Sequence, residues 1–286
     1  MIFVLLSVLC SVLVSVLLKL ARRHDIDIGQ AIAWNYVVAS VLTALVLQPP
    51  LTTLHQPGVP WLALAGLGIL LPTIFLALGA SVRHAGIVRS DAAQRLSLLI
   101  SLLAAFVLFG EQLTPFKLAG IAFGLLALLC MVWRSATGAN TTDGVAGWIY
   151  PLLVFVGFGT IDILFKRVAL AGVPLGASLQ AMFVLALPLA FAVPLRRYLR
   201  GGTRFTGRSA LGGIALGLAN FGNILFYLRG HRALPQHPAL VFASMNIGVV
   251  ALGALVGLLL FRERLSRLNL VGVLLALLAI GLIARG

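Results

Sequence analysis

The chain has few charged residues and few cysteines. Only 10% of its 286 residues are charged, whereas 61% are apolar. No soluble fold needs so much uninterrupted apolar sequence, so the composition excludes a soluble protein. Cys10 and Cys130 both lie within apolar stretches, where a thiol packs as a small hydrophobic group. They give no support for a disulfide.

The sequence also lacks the motifs of catalysis. It has no Gly-rich phosphate loop, no nucleotide-binding motif and no nucleophile with a base at a suitable spacing, which argues against an enzyme and against an ATP-driven pump. None of the five histidines has metal-ligand spacing with an acid or a cysteine. We therefore expect neither a cofactor nor a metal.

Acidic residues are scarce compared with basic ones. The chain has 7 Asp and Glu against 21 Lys and Arg, a formal net charge of +14. The basic residues lie between apolar runs and form no separate basic face, which a nucleic-acid-binding protein would need. Anionic lipid headgroups are the expected counter-charge, so the lipid bilayer is a partner and nucleic acid is not.

Long apolar runs dominate what is present. Runs of about 18 residues or more suffice for a helix to cross a bilayer, and they lack the apolar–polar alternation of membrane strands. The sequence therefore predicts an all-α integral membrane protein with ten transmembrane helices. Their approximate spans are 2–20, 29–47, 60–81, 87–109, 115–133, 147–169, 174–194, 209–228, 238–261 and 268–284.

The ten predicted helices divide into two similar sets of five. The stretch FGEQLTPFKLAGIAFGLLAL (109–128) returns 152 positions later as FRERLSRLNLVGVLLALLAI (261–280), which aligns Glu111 with Glu263 and Gly120 with Gly272. A weaker similarity aligns Lys19 with Lys166. We expect a first repeat at 1–134, a linker at 135–146 and a second repeat at 147–286. Because five is odd, the second repeat enters the membrane from the opposite side, which gives the inverted repeats that alternating access uses.

The F-G-E-x-L-T ending of the fourth helix, followed by a Gly-containing fifth helix and duplicated in the second half, resembles the EamA-type ten-helix members of the drug/metabolite transporter superfamily. The resemblance covers essentially the whole chain. It implies a helical transporter with a central cavity framed by helices 1–4 and 6–9. The fourth and ninth helices lack the central proline of many relatives, and the first helix lacks the membrane glutamate of the small multidrug branch.

Most Lys and Arg lie in loops after the odd-numbered helices. The positive-inside rule then predicts that both termini are outside, whereas the relatives suggest cytoplasmic termini. The resemblance implies the bacterial cell inner membrane as the location.

Four ionisable side chains within the predicted spans are the strongest site candidates. Asp91 and Arg95 are four residues apart, as are Asp162 and Lys166, so each pair shares a helix face. Intramembrane charge is costly and usually functional, which favours a role in substrate translocation. The alternative is self-neutralisation, or snorkelling to an interface for Asp91 and Lys166. If Asp162 alternates between Lys166 and a proton, it is the candidate coupling acid.

Polar and aromatic side chains within the spans are further candidates. Asn220, Asn223 and Tyr227 fall on one helix face because of their spacing, and Gln94 aligns with Asn246 under the 152-residue offset. Such residues can bind substrate or can simply join helices. The full set is Trp34, Asn35, Tyr36, Gln94, Gln180, Asn220, Asn223, Tyr227 and Asn246.

Other notable residues favour a structural interpretation. Glu111 and Glu263 lie at helix ends, where an acid is inexpensive and can pair with a nearby base. Three glycine pairs have the small-xxx-small spacing of closely approaching helices: Gly120 with Gly124, Gly213 with Gly217, and Gly253 with Gly257.

These features together predict a secondary transporter of a small polar or amphipathic solute, such as an amino acid or a nucleoside, and the resemblance implies export. Proton coupling is an option, and a monomer suffices because the duplication supplies both halves. The alternative is a flippase or scramblase for a lipid with a phosphate or sugar headgroup. A membrane sensor is disfavoured because the loops are too short to form an output domain.

Overall fold

The apolar runs fold as helices. The computed structural model describes residues 1–132, 146–261 and 267–285, which form ten α-helices and no strand. A π-helical turn, Thr43–Leu47, extends α2, and a 3-10 turn covers Leu51–His55. Residues 135–145 of the predicted linker and Glu263 lie outside the described residues, and the last predicted linker residue, Ala146, begins α6. The helices are α1 (Ile2–Arg23), α2 (Ile28–Leu42), α3 (Trp61–Leu96), α4 (Leu98–Val107), α5 (Pro115–Val132), α6 (Ala146–Leu170), α7 (Leu175–Leu199), α8 (Gly207–Ala233), α9 (Pro238–Phe261) and α10 (Arg267–Arg285).

The described helices have the length and surface of membrane spans. Six helical stretches are long and apolar enough to cross a bilayer, and four shorter apolar stretches accompany them. Large apolar side chains are widely exposed, among them Leu62 at 89% and Leu259 at 77%. Such exposure is unfavourable in water and neutral in hydrocarbon, where lipid tails are as apolar as leucine. The fold is thus that of an all-helical, multi-pass membrane protein.

The boundary between the predicted third and fourth helices differs from expectation. The sequence predicts a break between residues 81 and 87, whereas α3 continues for 36 residues to Leu96. Gly86 lies in that stretch, and one glycine costs a helix only about 1 kcal/mol. The break falls at Ser97, whose hydroxyl donates to the Gln94 carbonyl at 2.6 Å. Side-chain hydrogen bonds of this type compete with the helix and bend it.

The chain divides into two compact units, each with helices from both predicted repeats. The first unit contains residues 1–73 and 164–232. Within it α2 packs against α7, with Trp34 edge-on to Phe191 at 6.1 Å and Tyr36 tilted against Phe183 at 6.4 Å between ring centroids. Large aromatic side chains therefore hold α2 and α7 together.

The second unit contains residues 74–163 and 233–286. Within its described residues α5 packs along α10, and α9 contacts α4, α5 and α10. Glu111, in the turn before α5, forms an ion pair with Lys117 at 3.1 Å and accepts a hydrogen bond of 2.6 Å from the Ala239 amide. Glu111 thereby caps the start of α9, because the first amides of a helix lack intrahelical partners. Its predicted pairing with a nearby base is confirmed.

Two of the three glycine pairs allow close helix approach, as predicted. A Cβ on Gly120 would lie 2.6 Å from the Ile283 side chain of α10, and one on Gly217 would lie 2.6 Å from Val38 of α2. Their partners Gly124 and Gly213 are similarly crowded. The prediction is wrong for Gly253, because a Cβ there would meet nothing within 4 Å.

Candidate functional site

Asp162 is the acidic centre of the second unit. It lies on α6, and its Oδ2 accepts a hydrogen bond of 2.7 Å from the Ser101 hydroxyl of α4. Asn246 of α9 places its amide nitrogen 3.4 Å from the same oxygen and donates to the Phe242 carbonyl at 3.0 Å. Hydrogen bonds to a carboxylate stabilise its ionised form. Three helices thus form a polar group around one acid in an otherwise apolar environment.

Of the residues in this group, the sequence indicates Asp162 and Asn246 but not Ser101. Ser101 is fully buried, and its surroundings in the sequence, LLISLLAA, are apolar. A single serine in such a run is commonplace and normally bonds to its own helix. Only the facing position of α6 shows that this hydroxyl reaches a carboxylate.

The other candidates of the second unit lie on α3. Gln94 and Arg95 are partly buried in its last turn, directly before the break at Ser97. Asp91 belongs to the same helix, and its side chain lies outside the described part of the structure. The expected pairing of Asp91 with Arg95 therefore stays a prediction.

Lys166 is the basic centre of the first unit. Its side chain is completely buried, as is His231, and the lysine charge acts electrostatically on the histidine. The neighbouring Phe165 packs edge-on against Tyr227 at 5.7 Å, and Tyr227 packs against His231 at 4.7 Å between ring centroids. A buried cation thus lies near His231, which belongs to an aromatic and imidazole cluster of α6 and α8.

His231 is a member of this group that the sequence reasoning missed. The predicted eighth span ends at residue 228, which places His231 in a loop, whereas α8 continues to Ala233. The available signal is the spacing, because His231 follows Tyr227 by four residues and so shares its helix face. The last turn of α8 contains the polar stretch RGH, so its mean hydropathy is low and the predicted span ends too early.

Asn223 and Asn220 occupy the same face of α8 as Tyr227. The Ser7 hydroxyl of α1 lies 2.8 Å from the Asn223 side-chain oxygen and 2.9 Å from its backbone oxygen. This contact joins α1 to α8, which favours the helix-joining role for Asn223. Asn220 is buried, with 8% of its surface exposed.

A second polar group lies on α2 and α7. Tyr36 and Asn35 are almost completely buried, and Ser40 follows Tyr36 by about one turn. On α7, Gln180 precedes the Tyr36 partner Phe183 by three residues, which places both on one face. The Asn35 Oδ1, the Tyr36 hydroxyl, the Ser40 hydroxyl and the Gln180 Oε1 have no hydrogen-bond partner among the described residues. Unsatisfied buried polar atoms cost about 1–3 kcal/mol each, so four of them on facing helices are candidates for hydrogen bonding to a polar solute.

Polar groups on bilayer-length helices are typical of membrane transport proteins. Comparison with known proteins agrees. The model of the EamA-like transporter family matches residues 1–133. An uncharacterized protein of Haemophilus influenzae is 44% identical over 283 residues, which cover 96% of this chain and 94% of that protein. The chain belongs to the EamA-like transporter family.

A solved crystal structure shares the fold. It covers 98% of this chain and 94% of its own, with a TM-score of 0.73 and 18% sequence identity.

Proposed function

We propose that the protein is a secondary transporter of the bacterial inner membrane that exports a small polar or amphipathic solute by alternating access. The observation that carries this proposal is the acid–hydroxyl–amide group of Asp162, Ser101 and Asn246. Placing a charge within a membrane helix is costly, and its default explanation is a substrate or ion pathway. Family membership supports the transporter class.

The helix contacts support two inverted five-helix repeats. In that arrangement each helix of the first repeat corresponds to the helix five positions later, in the second repeat. Three such pairs are in contact within the compact units, namely α2 with α7, α4 with α9, and α5 with α10. An inverted repeat provides two nearly equivalent conformations that open to opposite sides of the membrane.

The polar groups of each unit, taken separately, favour a solute with charged or hydrogen-bonding groups. In the first unit Lys166 offers a cation, and the buried atoms on α2 and α7 offer two amide oxygens and two hydroxyls. In the second unit Asp162 offers an anion. A cation suits the carboxylate of an amino acid and an anion suits its ammonium group, whereas amide oxygens and hydroxyls also suit a nucleoside. Asp162 is the proposed proton-coupling acid, because a carboxylate is the side chain that can exchange a proton during each cycle.

The test is release of solute from proteoliposomes. Pooled radiolabelled amino acids and nucleosides are trapped inside vesicles with purified protein, and release is followed with and without a proton gradient. We expect Asp162→Asn to abolish release or its response to the gradient. The matched control is Asp25→Asn, which removes the same charge from an exposed position. Asp25 has a φ of 53°, a conformation that asparagine readily adopts.

Either of two results would overturn the proposal. Equal release by wild type and Asp162→Asn would remove the role assigned to this acid. Movement of a fluorescent phospholipid between leaflets, without release of any pooled solute, would instead identify a flippase or scramblase.

A further inference from the structure

Three arginines cluster at the end of α7, away from the polar groups described above. Arg196, Arg197 and Arg200 occupy its last turn and its C-terminal cap. Together with Ala192 and Val193 they line a surface cavity of about 360 Å³. The cavity lining is thus apolar at Ala192 and Val193, called its apolar base here, and cationic at the three arginines.

The positive charge of this cavity is only weakly compensated. Arg197 lies 3.8 Å from the Asp27 carboxylate, and their side chains are 55% and 26% exposed. An exposed ion pair of that length contributes little. Arg196 and Arg200 are four residues apart, a spacing at which like charges repel across one helix face. The helix dipole favours cations at this end, but it does not require two of them on one face.

The surroundings of the cavity have the character of a membrane interface. Leu195 and Leu199 are 45% and 74% exposed. Tyr198 is half exposed and packs against Phe205 with ring centroids 5.6 Å apart. Exposed apolar residues with tyrosine at a helix end are typical of the level of the lipid headgroups. A ligand in this cavity thus meets cations on one side and hydrocarbon on the other.

We propose that this cavity binds the phosphate of an anionic phospholipid, with its glycerol and first acyl carbons against Ala192 and Val193. Guanidinium groups match phosphate oxygens with paired hydrogen bonds, and the apolar base explains why a lipid is favoured over a free anion. The inference is independent of the transported solute, because none of the proposed translocation residues lines the cavity.

The test measures lipid retention by the purified full-length protein. Native mass spectrometry counts bound phosphatidylglycerol and phosphatidylcholine during titration in detergent. The variant is Arg196→Gln with Arg200→Gln. The control is Arg204→Gln with Arg208→Gln, which removes equal charge from exposed residues that follow α7 and lie outside the cavity.

We expect the cavity variant to bind phosphatidylglycerol about tenfold more weakly or worse, since a hydrogen bond to a charged group contributes at least about that factor. The control variant should change less than about twofold, and phosphatidylcholine binding should be unaffected in both. Arg196→Lys with Arg200→Lys retains the charge without the paired geometry and should give an intermediate loss. If the glutamine variant does not fold, the lysine variant still tests the proposal.

Several results would overturn the proposal. Equal weakening by both glutamine variants would indicate general attraction to a basic surface. Equal binding of the two lipids would exclude recognition of the anionic headgroup. Displacement of phosphatidylglycerol by millimolar inorganic phosphate would show that the cavity binds free phosphate rather than a lipid.

Discussion

The hydroxyl of Ser101 on α4 donates a hydrogen bond of 2.7 Å to the carboxylate of Asp162 on α6. A hydrogen bond to a charged group contributes about 1.5–3 kcal/mol. We therefore expect Ser101→Ala to lower solute release from proteoliposomes by about tenfold. Ser15→Ala is the control, because the Ser15 hydroxyl is exposed and bonds to its own helix at Ser11. In an Asp162→Asn background, Ser101→Ala should change the unfolding temperature little, and a fully additive loss of stability would contradict the contact.

Buried Lys166 is expected to be essential for transport, and its neighbour Arg167 is not. Lys166 is completely buried, whereas Arg167, about 100° further round α6, is exposed. Lys166→Gln should abolish solute release, and Arg167→Gln, which removes the same charge, should retain most of it. Thermal unfolding in detergent shows whether each variant is folded. Release by Lys166→Gln at the rate of Arg167→Gln would refute a role for the buried cation.

Tyr36→Phe should separate stability from solute affinity. The Tyr36 hydroxyl is buried without a hydrogen-bond partner in the described part of the chain, so its removal should leave the unfolding temperature unchanged or higher. If the hydroxyl binds solute, the concentration for half-maximal release should rise by up to about tenfold. Tyr198→Phe, at a half-exposed position, is the control. A lower unfolding temperature with unchanged affinity would show that Tyr36 is purely structural.

Glu111→Gln should destabilise the protein. The change leaves Lys117 buried, with a 4% exposed side chain, and without its ionic partner. Breaking a buried ion pair in this way costs about 3–5 kcal/mol, so the unfolding temperature should fall clearly. Gln112→Ala, at the exposed next position, should leave it nearly unchanged, because only the Gln112 backbone oxygen contacts Lys117. Similar unfolding temperatures for the two variants would contradict the inferred cap.

Alanine at Gly120 and at Gly281 should have opposite effects on stability. A Cβ at Gly120 would lie 2.9 Å from the Ala279 backbone oxygen as well as against Ile283, whereas one at Gly281 would meet nothing within 4 Å. Gly281→Ala should stabilise by about 0.5–1 kcal/mol, because alanine has the better helix propensity. Gly120→Ala should destabilise, since α5 and α10 must separate. Unfolding temperatures that rise in both variants would contradict the close packing of these helices.

The sequence predicts the ends of helices well where a proline marks them and poorly where none does. The predicted span 238–261 coincides with α9, which begins at Pro238, and α5 begins at Pro115 as expected. Between α3 and α4 no proline marks the break, where the Ser97 hydroxyl bonds to the Gln94 carbonyl. Helix propensity does not distinguish Ser97 from the other serines in apolar stretches of the sequence.

The sequence predicts the charged residues of the candidate site but not all of their neighbours. Charge inside an apolar run is visible in sequence, so Asp162 and Lys166 are identified directly. Their surroundings depend on which helices face each other, and neither Ser101 nor His231 follows from composition. Asn223 is a site candidate from the sequence, but its side-chain oxygen accepts a hydrogen bond from Ser7 and so joins α1 to α8.

The contact between Glu111 and the Ala239 amide has a consequence for biogenesis. Glu111 is synthesised with the first five helices, but the amide that it caps belongs to the ninth. A ribosome that has released only the first half leaves this carboxylate without one of its two partners, and leaves α5 without α10. The first half is thus an incomplete folding unit, so separating the two halves at the predicted linker should require their co-expression for either to accumulate in the membrane.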